Sequence, residues 1–142
     1  MEVLYPGSSE TPREFALEFV ELREGTQAGF WPFAVTSYPV VHPSGAPACA
    51  LRVFYEDKIL AFSGDTEWTD ALVRAAGANL FICECNFFKG SGGHHLDYQT
   101  LMSHREDLGC HRLVLTHMGE EMLRRIEELD VEGAEDGKSY VL

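Results

Sequence analysis

The feature that most constrains this chain is a change of hydrophobic period at Asp65. Upstream, apolar residues alternate in short runs. Downstream, brief apolar runs alternate with stretches spaced like helix faces. A sequence of that kind calls for a mixed sheet, antiparallel at first and then built of strand–helix units, with helices covering at least one face. The change falls in Leu60-Ala61-Phe62-Ser63-Gly64-Asp65-Thr66, an apolar strand running into a tight turn. Gly64 permits a sharp turn, and Ser63 and Thr66 can bond it locally, so Asp65 is displayed at the sheet edge. The ordinary alternative is that Asp65 and Thr66 cap a helix beginning near Trp68. A second stretch has the same design: His111-Arg112-Leu113-Val114-Leu115-Thr116 delivers His117 before the next helix. A carboxylate and an imidazole at neighbouring strand ends are ordinary ligands for zinc or a similar cation.

Taken in order, the chain offers a turn at 6–9 and a capping box at Thr11-Pro12-Arg13-Glu14 that would start a short helix. Period-two runs at 17–22, 33–41 and 48–55 and at Lys58–Phe62 read as strands, with Gly25 ending the first and Glu56-Asp57 turning the last pair into a hairpin. Beyond Asp65, helices are expected at 68–76, from Asp97 to Gly109, and at 119–129, where Met122, Leu123 and Ile126 share a face. Strands are expected at 79–84, 111–116 and, as a closing edge strand, 137–142.

The 142 residues suit a single unit. A formal charge of −12 argues against broad attraction to nucleic acid or anionic membrane, while leaving room for a small diester. No apolar run is long enough to span a bilayer, and Met1-Glu2-Val3-Leu4-Tyr5-Pro6 lacks the basic start of a secretory signal. Cys49, Cys83, Cys85 and Cys110 read as reduced thiols, so a cytoplasmic location is expected. A rival use of two of them is a small structural zinc site of Cys83, Cys85, His94 and His95, although cysteines one residue apart are closer than such sites usually place them. His104 and His111 read as surface or strand residues.

Together, Ser63-Gly64-Asp65-Thr66, Thr116-His117-Met118-Gly119 and Cys83-Glu84-Cys85-Asn86-Phe87-Phe88 with His95-Leu96 resemble the C-terminal half of a metallo-β-lactamase-fold hydrolase of the ribonuclease Z-like subgroup. The resemblance covers residues 17–142. It implies half of a four-layer αββα sandwich, an α/β mixed sheet with helices on one face. It also implies two divalent cations, zinc or alternatively manganese, bridged by Asp65 with His117 binding one of them. Glu84 and a histidine, His95 or the adjacent His94, would assist protonation of the leaving group, and His42 would lie near the substrate. The implied substrate is an ester or phosphodiester, an RNA or a nucleotide among the options, and the complete enzyme would be a homodimer. The subgroup's His-x-His-x-Asp-His motif has no match in these 142 residues. The resemblance therefore implies the C-terminal portion of a domain, inactive alone, or a non-catalytic scaffold derived from the fold.

Overall fold

The structure is a computed structural model that describes residues 7, 10–16, 18, 20–90 and 93–142. Its elements are β1 (Gln27–Phe30), β2 (Phe33–Pro39), β3 (Cys49–Tyr55), β4 (Lys58–Phe62), α1 (Asp70–Ala76), β5 (Leu80–Glu84), α2 (Tyr98–Ser103), β6 (Arg112–Thr116), α3 (Glu120–Arg124) and β7 (Glu132–Gly133). The seven strands form one sheet in sequence order, antiparallel from β1 to β4 and parallel from β4 to β7. The change of hydrophobic period at Asp65 thus marks the change of strand direction.

Register explains why the helices share a face. Ala61, Phe81 and Leu113 are aligned neighbours across β4, β5 and β6, as are Cys83 and Leu115. All five pack into one buried core with Leu72 and Ala75 of α1, Leu101 of α2 and Met122 of α3. Burying such side chains contributes about 1.5–3 kcal/mol each. Arg52 of β3 holds α1 in place by donating to the Gly77 and Arg74 carbonyls at 2.7 and 3.3 Å, satisfying acceptors the helix end leaves open. The opposite face carries Leu60, Leu80, Val114 and Phe62, and no helix of the described residues packs there.

The structure corrects several expectations. The described residues of 17–22 form no strand, and Leu17 and Phe19 lie outside the described residues. The first strand is β1 instead, recruited by hairpin pairing of Phe30 with Phe33 around Trp31-Pro32 rather than by its own weak pattern. No helix follows Thr11; its hydroxyl donates to the Gly7 carbonyl in a local turn. Residues 6, 8 and 9 of the expected turn, and residues 1–6 of the chain start, lie outside the described residues. The Asp97 helix ends at Ser103, and the helix expected at 119–129 splits into α3 and a 3₁₀ turn at Ile126–Glu128. Residues 137–142 are not a strand, because the edge beside β6 is occupied by β7. They cross the opposite face, where Tyr140 lies under the Arg112 guanidinium and Leu142 lines a recess with Phe33, Val53 and Leu60. No helix of the described residues is long and apolar enough to cross a membrane.

The β6–β7 edge carries a pH-dependent contact. Arg112 donates to Glu132 at 2.7 and 2.9 Å, and Lys138 lies 3.0 Å from the same carboxylate. The Arg112 hydrogen bond, and after it that of Lys138, hold the Glu132 carboxyl below its ordinary 4.5. A depressed carboxyl stabilises the fold above its unfolded pKa, and that contribution is lost as pH falls through the folded value. Thermal melting across the acid range should therefore show a shallower loss of stability in Glu132→Gln than in wild type; identical acid limbs would contradict the contact.

Candidate metal centre

The strand ends of one sheet edge carry the candidate residues. β2 runs in the same direction as β4, because two antiparallel hairpins separate them, so both deliver their C-terminal ends to the edge where the parallel β5 and β6 also end. Crevices outside the carboxyl ends of strands are where open α/β sheets bind ligands. His42 follows β2, Asp65 follows β4, Glu84 ends β5 and His117 follows β6.

Local chemistry fixes each of them. Ser63 extends the ladder by donating its amide to Ile82 at 3.0 Å, and Gly64 then turns at φ 61°. A Cβ on Gly64 would stand 3.0 Å from the Cys49 carbonyl oxygen, so glycine is required there both for space and for the left-handed backbone. Asp65 does not cap α1; that work falls to Thr69, whose hydroxyl accepts from Ala71 at 3.4 Å. Thr66 accepts from the Val41 amide at 3.2 Å, and the Glu67 amide donates to the Val41 carbonyl at 2.9 Å, which clamps the residue preceding His42 to the Asp65 turn. His117 adopts φ 53°, its carbonyl held by the Asn86 side-chain amide at 3.0 Å. α3 is capped at Gly119 without a side chain, so His117 is no helix cap either.

Glu84 is the best-connected group. Its side chain is 1% exposed. An isolated carboxylate so buried would lose several kcal/mol of hydration. It is compensated by the Thr66 amide, by the Leu96 amide at 3.3 Å, and by His95 Nδ1 at 3.0 and 3.2 Å from its two oxygens. Of the two adjacent histidines, His95 faces Glu84, whereas His94 turns to Glu67 at 2.8 Å. With Nδ1 donating to Glu84, His95 is left with Nε2 as its free ring nitrogen. Its ring lies between those of His42 and His117, at centroid distances of 5.0 and 4.8 Å.

Among the described residues, His42, Asp65 and His95 each offer a ligand atom within 4.8 Å of the others. Asp65 also stands 3.8 Å from His117 Nδ1. A carboxylate and imidazoles are a donor set that suits zinc or manganese. The grouping of His42 with Asp65 adds to the sequence expectation of a place near the substrate; counting hairpins from β4 back to β2 brings it to this edge. Cys83, Cys85, His94 and His95 do not converge, which corrects the structural-zinc alternative. Both thiols are buried in the helix-side core, and that burial pushes Cys85 up to about 12 and Cys83 well above its ordinary value. His104 stacks on Trp68 at 4.0 Å and is not among the grouped ligand candidates.

No family model and no curated protein matches the sequence. Solved structures do match the fold. A metallo-β-lactamase fold protein, YhfI, from Bacillus subtilis aligns with 93% of this chain at TM-score 0.67 and 19% identity, over 58% of its own length. The short form of human tRNase Z aligns with 75% of the chain at TM-score 0.57 and 23% identity, over 40% of its length. Zinc-bound PqqB from Methylobacterium extorquens aligns with 85% at TM-score 0.64 and 14% identity, over 55% of its length. The chain thus has the metallo-β-lactamase fold, and it spans 40–58% of the length of these proteins.

Exchanging Glu84 for Gln tests its structural share. Whichever oxygen becomes an amide nitrogen then faces a backbone N–H, of Thr66 or of Leu96, so the variant should lose about 1–3 kcal/mol in denaturant unfolding. Glu84→Ala should lose more, and a Gln variant as stable as wild type would contradict the bonding.

Proposed function

We propose that this chain, whose fold is that of the metallo-β-lactamases, carries part of a divalent-metal-dependent hydrolase centre for phosphodiester or related ester bonds. Asp65, His117 and His42 are the ligands of this reading, and Glu84 with His95 handles the proton. The observation that carries it is the convergence of separate segments on Asp65 at the strand ends, where His117 Nδ1 lies 3.8 Å from its carboxylate and His42 and His95 offer ligand atoms within 4.8 Å of it. A zinc or manganese ion bound there would supply Lewis acidity and a water of lowered pKa. The chain's own residues do the rest. Glu84 accepts from His95 Nδ1 and so aims Nε2 at the cleft. That ring can pass a proton from Nε2 to a departing oxygen, as a positioned general acid does.

A carboxylate and two imidazoles complete little more than one cation's coordination. The second cation expected by resemblance needs ligands of the His-x-His-x-Asp-His kind, and in this reading they come from a second α/β unit. The face opposite the helices supports that arrangement: Phe33, Val53, Tyr55, Leu60 and Leu142 line an apolar recess of about 420 Å³ there. Apolar surface of this sort marks an interaction site. Coverage of 58% of YhfI and 40% of tRNase Z leaves room for such a unit in this reading. The charge of −12 favours a small diester over a long RNA. The same apolar face also suits the second reading, a non-catalytic scaffold in which this surface pairs two copies.

Metal analysis of the protein purified from its native cells, with hydrolysis of bis(p-nitrophenyl) phosphate, separates the readings. The hydrolase reading expects bound zinc or manganese and diester cleavage, both lost in Asp65→Asn and His117→Ala. His95→Gln should keep the cation and lose about 10²–10⁴-fold in rate, the usual worth of a positioned acid. Protein without metal, or cleavage indifferent to Asp65→Asn, would refute it in favour of the scaffold.

A further inference from the structure

The geometry points to Glu67 and His94 as positioning residues that prepare His42 to bind the cation, a role that rests on the metal reading above. His42 Nδ1 lies 3.0 Å from the His94 carbonyl oxygen. A carbonyl only accepts, so the Nδ1 proton is committed to that bond and the Nε2 lone pair is the one left for a metal. The direction of that carbonyl depends on His94 adopting φ 68°, a left-handed conformation uncommon outside glycine and asparagine. What holds it there is its own ring: His94 Nδ1 lies 2.8 Å from Glu67 Oε1.

Glu67 is anchored in turn. Its amide donates to the Val41 carbonyl at 2.9 Å, and the neighbouring Thr66 hydroxyl accepts from the Val41 amide at 3.2 Å. His42 is therefore held from two directions, through the backbone of Val41 and through the carbonyl of His94, and Glu67 takes part in both. Neither Glu67 nor His94 belongs to the cluster of potential ligands, and the hydrogen bonds that tie them to it run through His42 and the backbone of Val41. The His94–Glu67 pair thus links the Asp65 turn to the glycine-containing loop before His95, and it selects the tautomer of His42.

The test uses Co²⁺ as the probe, titrated into the metal-free protein and followed by its visible absorption, with apo melting temperature as the control for folding. Glu67→Ala and His94→Ala should weaken Co²⁺ binding about 10- to 100-fold, as loss of a ligand's supporting partner usually does. His94→Asn should recover most of the affinity, because asparagine tolerates the left-handed backbone and its amide can donate to Glu67 from the place of Nδ1. Glu67→Gln, whose amide oxygen still accepts from His94, should likewise stay near wild type. His42→Ala sets the scale for loss of the ligand itself. Unchanged affinity in Glu67→Ala and His94→Ala, or a His94→Asn as weak as His94→Ala, would overturn the role. A wild-type protein that takes up no Co²⁺ would overturn the metal centre itself and this role with it, which distinguishes the two failures.

Discussion

The buried carboxylate of Glu84 is the interaction on which the sheet edge depends. It stands at the end of β5 and accepts from Thr66 just past Asp65, from Leu96, and from His95. Three segments separated in sequence are thereby brought to one point. A carboxylate this deeply buried is costly unless well bonded, and the same requirement makes the arrangement specific: each donor removed leaves part of its desolvation cost uncompensated. The backbone of Glu84 takes part as well, its amide donating to Ser63 Oγ at 2.8 Å, so the Ser63 side chain is fixed beside the turn that presents Asp65.

Around that hub, the topology does the work of assembly. The sheet runs in sequence order, and neighbouring parallel strands deliver successive ligand candidates to the same edge. Helices on a single face fill the core and leave the opposite face to the C-terminal segment and to an apolar recess. Gly64 and Gly119 permit close approaches of backbone to backbone: a Cβ on Gly119 would come 2.7 Å from the carbonyl oxygen of Asn86, the residue that holds His117. Stability at these turns comes from packing and hydrogen bonding together, and small residues allow both.

Where local pattern and tertiary structure agree, the sequence was readable. β4, its turn at Asp65, and the strand ends at Glu84 and His117 follow from apolar runs stopped by small or polar residues, and the mixed sheet follows from the change of period. The resemblance to metallo-β-lactamase-fold hydrolases was carried by those same turns, and the solved structures bear out its fold. Readings failed where pairing decides the structure. β1 is a strand because β2 offers it a partner, and β7 displaces the expected terminal strand because two residues of ladder beside β6 suffice. The choice between His94 and His95 could not be made from spacing, since adjacent residues reach different carboxylates, Glu67 and Glu84, only after the loop has folded. The closeness of His42 to Asp65 was hidden for the same reason: its neighbourhood depends on strand direction, not on its own surroundings in sequence.

The central claim is that Asp65 and the histidines from β2 and β6 hold a cation at the strand ends. A crystal of the protein soaked in zinc, with anomalous scattering recorded at the zinc edge, tests it most directly. The account predicts a peak about 2.0–2.2 Å from a carboxylate oxygen of Asp65 and from ring nitrogens of His42 and His117. A peak bonded instead to the Cys83 and Cys85 sulfurs, or an Asp65 carboxylate without a peak in zinc-saturated crystals, would contradict it.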